Sequence, residues 1–452
     1  MDVKHELSDM DKMGIAKHVK VFLLYELQPS VNQDQLVSSV KEGVRNAVSQ
    51  LPIMAGRLQS DESGKPYIVT EPESEVEVSI RQFEPQEHKP LSGLAKDAYA
   101  PNSLDPARLL PSEEELAAKN PVCTLQLRFI EGGLILGFRM NHGVGDWVSM
   151  DRFLSLVCQS SKAWHEGILM PTYTPDLNRT PYNAPTMNAA ISRQERLANL
   201  PAFHVIEKSQ FKPTMPPPSH SSIYKISEHE TQQIKTQCGP YLDGVEYISS
   251  YDCISALMWT AITRARIQLH PEKASSETRF VHPIDVRTRD PETKKKKTSA
   301  EYFGNAVIGS QAGPLPAREL VAEGKRGRGL ATAASLVRQS ISSVGLSTIS
   351  HMTSLLMSLP PTEMLLPQAN FADMDMFMNT WYSGNADKYV LGAGSTPVAF
   401  RVHSPMPGSC MILPNFSRGS TRVFDVCVHL TADEHELLRK DADFRRYFEV
   451  VA

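Results

Sequence analysis

The sharpest chemical signal in the chain is His142-Gly143-Val144-Gly145-Asp146. A neutral imidazole takes a proton from a hydroxyl or amine near neutral pH, and general-base help of this kind contributes ~10²–10⁴-fold. Two glycines between the histidine and the aspartate give the backbone freedom to bend and let a substrate approach the main chain closely. The same five residues also fit a packed histidine followed by Asp146 as a helix N-cap, and the pattern alone leaves both readings open. Other chemistries find no foothold. The chain has no GxSxG, and its six cysteines (123, 158, 238, 253, 410 and 427) lie mostly in apolar contexts that mark no nucleophile. It has no HExxH, GxxxxGK[ST] or CxxC either. The stretch Gly392-Ala393-Gly394-Ser395-Thr396-Pro397 lacks the third glycine of a dinucleotide fingerprint and runs into proline. His429 and His435 straddle a strand-to-helix turn, and no metal is expected there.

A strand, a loop and a helix must aim His142. Period-two alternation predicts a hairpin, with Cys123–Ile130 running out, Glu131-Gly132-Gly133 turning, and Leu134–Met140 returning to deliver Asn141 and His142. Asp146 then caps a helix with Met150, Phe153, Leu154, Val157 and Trp164 on its apolar side. Upstream, His18–Leu27 reads as a strand and Asp34–Leu51 as a helix with apolar residues at spacings of three and four. Pro52 closes that helix, and Gly56 marks a tight or close-packed backbone position. From Gly167 to about Ser222 the chain is proline-rich and aperiodic, which predicts an extended crossover between two lobes. Regular structure resumes with a strand at Ile223–Ile226, helices at Glu228–Cys238 and Tyr251–Leu269, and a helical stretch at Gly329–Leu356. A strand follows at Phe377–Tyr382, another at Arg422–Leu430, and an acidic helix at Ala432–Phe448. No short fixed period repeats, so a solenoid or propeller is excluded and a mixed α/β chain in two lobes fits best.

Composition narrows the function classes. The chain has 452 residues, with 47 Lys+Arg against 51 Asp+Glu and a formal net charge of −4. That balance argues against a nucleic-acid partner. Hydrophobic residues at 41% and charged residues at 22% are ordinary for a globular protein and exclude general disorder. The first twelve residues are charged and no apolar run approaches a membrane span, while scattered cysteines suit reduced thiols, so a cytoplasmic protein without a membrane span is expected. Lys294–Lys297 reads as an exposed loop, or alternatively as a cationic patch near a phosphate ligand.

In collinear order, several segments resemble the BAHD (HxxxD-type) acyltransferases, and most closely their fungal trichothecene O-acetyltransferase-like branch. They are LSDMDK (Leu7–Lys12), PIMAGRL (Pro52–Leu58), HGVGD (His142–Asp146), SSYDCISALMWTAITRAR (Ser249–Arg266), DVRTRDP (Asp285–Pro291), YFGNAV (Tyr302–Val307), and VFDVCVHL with the following TADEHELLRKD. The resemblance implies an α/β fold of two chloramphenicol-acetyltransferase-like lobes, mixed sheets flanked by helices, with a channel at their interface. The lobes would be residues 1–180, carrying HxxxD, and 223–452, joined by a crossover at 181–222, with a segment at about 365–400 exchanging into the first lobe.

The resemblance also assigns roles. His142, Asp146 and Trp381 form the catalytic group: His142 deprotonates the acceptor hydroxyl, which attacks the thioester without an acyl-enzyme, and Trp381 donates its indole N–H to the developing oxyanion. Asp146 pairs with Arg287 as structural support. Asn379 and Thr380 contact the substrate, and Gly304 and Asn305 lie near the pantetheine arm. No cofactor is bound permanently, and acetyl-CoA or another acyl-CoA is the cosubstrate. The expected protein is a monomer of secondary metabolite biosynthesis acting on a hydroxylated small-molecule acceptor. An acyl carrier protein thioester is a second possible donor, with Lys294–Lys297 as its docking patch. Two departures stand out. Trp147 replaces the glycine usual after the aspartate, and so becomes an acceptor-pocket residue. Asp387–Gly394 stands where the family has Asp-Phe-Gly-Trp-Gly. These departures motivate an alternative, a CoA-independent cyclase or eliminating enzyme acting on a polyketide or terpenoid intermediate. A non-catalytic binding protein is a third reading, disfavoured by a histidine in a glycine-flanked loop.

Overall fold

The computed structural model describes the chain except residues 16, 63, 185–190, 213–214, 290–299, 322–325, 404–405, 417–420 and 452, with the backbone alone at 326–327. Lys294–Lys297 lies outside the described residues. The chain divides into two units, one made of Met1–Asn183, Thr298–Ala306 and Ser383–His403, the other of Ala184–Lys297, Val307–Tyr382 and Ser404–Ala452.

The first unit is built on a five-stranded sheet in the order Pro397–Val402, His18–Glu26, Gly133–Asn141, Cys123–Ile130, Val78–Gln82. All neighbours are antiparallel except the last pair, which is parallel. The predicted hairpin is present, and every residue of its two strands is buried. Helix Gln33–Gln50 buries Leu36, Val40, Val44 and Ala47, each large aliphatic side chain worth ~1.5–3 kcal/mol when fully withdrawn from water. It lies along helix Trp147–Glu166, where Ser39 Oγ and Ser161 Oγ are 2.9 Å apart. Met150, Phe153, Leu154 and Val157 are buried as expected, but Trp164, in the last turn of the helix, is 38% exposed. Segment Ser383–His403 supplies the edge strand Pro397–Val402, paired with His18–Glu26.

The second unit carries a seven-stranded sheet in the order Val307–Pro316, Glu277–Asp285, Met376–Thr380, Ser409–Ile412, Val423–Thr431, Ser219–Ser227, Glu449–Val450. Helix Ser250–Leu269 is buried nearly all round, as a central core helix should be. Three expectations need correction here. The proline-rich stretch is not uniformly extended: it forms helix Arg193–Ala198 and strand Phe203–Glu207, the latter paired with Glu363–Pro367. The single helix expected over 329–356 is two, Arg326–Ser342 and Leu346–Ser358, divided at Gly345, whose extended backbone caps the second. The acidic helix likewise breaks at Asp441, whose side chain accepts the Phe444 N–H and starts a new turn. All six cysteines are free and buried, and burial pushes the thiols of Cys158 and Cys238 up to about 12, so neither is a ready nucleophile. Among the described residues no helix is long and apolar enough to cross a membrane.

Candidate active site

His142 follows directly on strand Gly133–Asn141, and its ring is partly exposed. Two neighbours clamp the backbone on either side of it. The His142 N–H donates to Lys17 O at 2.9 Å. Asn141 accepts the Gly143 N–H at 2.8 Å on Oδ1 and donates from Nδ2 to Ile15 O at 2.9 Å. The glycines serve close packing here, since neither Gly143 nor Gly145 is among the glycines of positive φ. A Cβ on Gly145 would sit 2.5 Å from Ser149 Cβ, and one on Gly14 would sit 2.5 Å from His142 O.

Asp146 caps helix Trp147–Glu166, accepting the Val148 N–H at 3.1 Å and the Ser149 N–H at 3.5 Å on Oδ1. A carboxylate there also complements the helix dipole. Its Oδ2 accepts the Ala306 N–H at 2.9 Å, tying segment 302–306 to the start of the helix. Ser149 adds two bonds to the same segment, donating to Gly304 O at 3.1 Å and accepting the Gly304 N–H at 2.9 Å.

This attachment brings Asn305 against the imidazole. Asn305 Nδ2 donates to His142 O at 2.8 Å and to Asp11 Oδ1 at 2.9 Å, which uses both of its hydrogens. Its Oδ1 is left facing His142 Nδ1 at 3.0 Å and can only accept. Rotating the amide by half a turn would set its oxygen against a carboxylate and a carbonyl, so the network fixes the orientation. His142 Nδ1 therefore carries the proton, and Nε2 keeps its lone pair. That is the tautomer a general base needs.

Behind Asn305 stands a buried hub that the sequence reading did not single out. Asp11 is fully buried; its Oδ1 also accepts the Asn305 main-chain N–H at 2.8 Å, and its Oδ2 accepts from Ser8 N–H and Oγ at 2.8 and 2.7 Å. Oδ2 also pairs with the Arg179 guanidinium, whose Nη2 donates to Val144 O at 3.1 Å inside the histidine loop. Burial alone would lower the Arg179 pKa, but the Asp11 charge together with Tyr302 outweighs it and holds the pKa above its usual range. The Ser8-x-x-Asp11 capping spacing was visible in the sequence, but nothing marked Arg179, which sits in the proline-rich stretch.

Trp147, the first residue of the helix, donates from its indole to Ser383 Oγ at 3.0 Å and meets Phe400 edge to face at 5.8 Å. Five of the expected site residues, His142, Asp146, Trp147, Gly304 and Asn305, thus gather within the first unit. Arg287, Asn379, Thr380 and Trp381 belong to the second. There Arg287 is buried, with Nη1 3.3 Å from Asp285 Oδ1. Asn379 Oδ1 accepts the Thr380 N–H at 2.8 Å, and Trp381 is 5% exposed, its main-chain N–H donating to Ile412 O at 2.8 Å.

Among the described residues no three His, Cys, Asp or Glu side chains are placed to hold a metal ion. His429 bonds Ser219 and Ser221 at 2.8 and 3.0 Å, and His435 bonds Tyr224 at 2.7 Å, with burial pushing the His435 pKa down to about 4.

The model of the Transferase family matches residues 2–444. The acyltransferase cm3D of Cordyceps militaris is 23% identical over 479 residues, covering 98% of this chain and 96% of that protein. The enoyl-CoA isomerase/hydratase claC of Penicillium crustosum is 25% identical over 322 residues, which cover 67% of this chain and 34% of that longer protein. Among solved structures, F. graminearum TRI101 complexed with coenzyme A and T-2 mycotoxin has a TM-score of 0.82 at 19% identity, covering 100% of both chains. At that identity the likeness is one of fold, a mixed α/β architecture with helices flanking mixed sheets.

Proposed function

The chain belongs to the Transferase family, that of the BAHD acyltransferases and their fungal trichothecene O-acetyltransferase-like branch, and on that premise we propose that this acyltransferase is an acyl-CoA-dependent O-acyltransferase using His142 as general base. Acetyl-CoA is the donor and a hydroxylated, hydrophobic natural product the acceptor. The observation that supports the base most directly is the Asn305 amide, whose geometry leaves the lone pair on His142 Nε2. In the reaction the acceptor O–H gives its proton to Nε2 as its oxygen bonds to the thioester carbonyl carbon. The C–S bond then breaks, and the imidazolium returns the proton to the departing thiolate, so ester and free CoA form with no acyl-enzyme.

In the same reading, Trp381 supplies an N–H to the oxyanion, Asn379, Thr380 and Trp147 shape acceptor recognition, and Asp146 and Arg287 keep structural roles. The protein acts as a cytoplasmic monomer on free acyl-CoA rather than on a carrier-protein thioester. Thiol release from acetyl-CoA in the presence of hydroxylated trichothecene and other apolar alcohols tests the proposal. Release must require the acceptor, and His142→Ala must reduce it by ~10²–10⁴-fold. Turnover indifferent to His142 removes the mechanism.

A further inference from the structure

Asp11 does more than cap its helix. In the capping box of helix Asp9–Lys12 one carboxylate oxygen is enough: Oδ2 accepts the Ser8 N–H at 2.8 Å and the Ser8 hydroxyl at 2.7 Å. On a surface helix the second oxygen would be left to water. Here the side chain is fully buried, and Oδ1 takes two donors from one residue remote in the chain, the Asn305 main-chain N–H at 2.8 Å and its Nδ2 at 2.9 Å. The Arg179 guanidinium binds on the Oδ2 side.

From Oδ1 an unbroken line runs to the base: carboxylate oxygen, amide N–H, amide oxygen, and the His142 Nδ1–H at 3.0 Å. Hydrogen bonds in such a chain polarise one another, each strengthening the next by ~10–30%. The gain is larger once Nε2 has taken a proton, because the ring is then a cation and its Nδ1–H a stronger donor. Asp11, Asn305, Arg179 and His142 all belong to the first unit, and the first three are buried, where a fixed charge acts with little screening.

We propose that Asp11 is a positioning residue for acyl transfer: through the Asn305 amide it holds the proton on His142 Nδ1 and steadies the imidazolium formed as Nε2 takes the acceptor's proton. This rests on the acyltransferase reading above. No proton crosses the amide. The acceptor's proton moves to Nε2 and on to the thiolate, the Nδ1 proton stays in place, and the carboxylate takes none. The role needs a group that can only accept, because an amide at position 11 has a second way to turn. In Asp11→Asn the new oxygen goes to Arg179 and Ser8, which offer three donors, one of them a cation, and the new NH2 group faces Asn305. Asn305 must then turn its own oxygen toward position 11. That sets Nδ2 against His142 Nδ1 and drives the ring proton to Nε2, the wrong nitrogen for a base.

The first measurement needs no substrate. Nitrogen NMR of the full chain, labelled at histidine and recorded where the ring is neutral, reports which nitrogen of His142 holds the proton; its signals are those lost in His142→Ala. In the wild type Nδ1 should be favoured over Nε2 by about tenfold or more, the size of one charge-assisted hydrogen bond, and in Asp11→Asn the ratio should fall to about one or reverse. Asp11→Asn/Arg179→Gln leaves no unpaired charge in the hub and carries the same expectation where the single variant does not fold. In acetyl-CoA turnover the folded variant should lose ~10–100-fold in kcat, part of what a general base contributes, with KM for acetyl-CoA within about twofold. In an Asn305→Ala background the same substitution should cost less than about threefold, because its route to the ring is gone. A folded variant with the wild-type tautomer ratio overturns the proposal, as do losses in kcat that multiply whether or not Asn305 is present. The tautomer is read without turnover, so it decides the role of Asp11 even if no acceptor is acylated, and a wild-type ring protonated on Nε2 counts against it whether or not acyl transfer occurs.

Discussion

Asn305→Ala should slow the reaction without weakening donor binding. The substitution removes Oδ1 from His142 Nδ1, 3.0 Å away, and Nδ2 from His142 O and Asp11 Oδ1 at 2.8 and 2.9 Å. The Asn305 main-chain N–H still reaches Asp11 Oδ1 at 2.8 Å, so the buried carboxylate keeps a donor there. One neutral hydrogen bond is worth ~0.5–1.5 kcal/mol net, which is roughly a threefold to tenfold preference for the tautomer with its lone pair on Nε2. Freeing the ring to swing adds to that loss, because a misplacement of about 1 Å costs up to ~10²-fold. We therefore expect kcat to fall ~10–100-fold while KM for acetyl-CoA stays within about twofold, the pattern of a group that acts on the transition state. The lost bonds should also cost ~1–3 kcal/mol of stability, a melting-point drop of ~2–4 °C per kcal/mol for a domain of 150–250 residues. The assay is thiol release over a range of acetyl-CoA concentrations, at a temperature where the variant is folded. A raised KM with unchanged kcat refutes the positioning argument and returns Asn305 to the pantetheine-binding role that the family resemblance implies.

Asp11→Asn leaves the buried Arg179 guanidinium without its counter-charge and should destabilise the protein by ~3–5 kcal/mol, and a thermal midpoint near that of the wild type would refute it. Gln126 is fully buried and both its amide atoms lack partners among the described residues, so Gln126→Met should raise the urea midpoint by an amount worth ~1–3 kcal/mol; a lower midpoint would show that ordered water satisfies the amide. His282 is fully buried between Tyr251 and Ser340, and burial, then the charges of Arg289 and Arg338, push its pKa down to about 3. Its stabilising contribution is complete above its unfolded pKa of ~6.5 and is lost as pH falls toward its folded one, by up to ~1.4 kcal/mol per pH unit. Urea titrations of His282→Gln should show a flatter fall between those limits than the wild type, and an equal slope would assign the acid sensitivity to other groups.

What the sequence showed of this molecule is what local physics decides. Strand His18–Glu26, the hairpin ending at Asn141 and the Asp146 cap each follow from a few adjacent residues, and each could be read from alternation, turn chemistry or capping. Trp164 was placed on the wrong side because helical spacing gives a face but not how many of the helix's turns stay covered along it. Strand Phe203–Glu207 escaped notice because its pairing partner, Glu363–Pro367, is remote in the chain. The same reason hid most of the site. His142 owes its tautomer to Asn305, 163 residues away, and Asn305 owes its orientation to Asp11, which lies 294 residues from it. Asp11 in turn balances Arg179, 168 residues distant, in a stretch whose prolines suggested a mere linker. The His-x-x-x-Asp spacing thus marks where a base can stand, but it does not make the histidine basic at Nε2. A chain that kept the five-residue motif and lost the amide opposite Nδ1 would keep the loop and the helix cap, while its imidazole would be free to present the proton where the lone pair is needed.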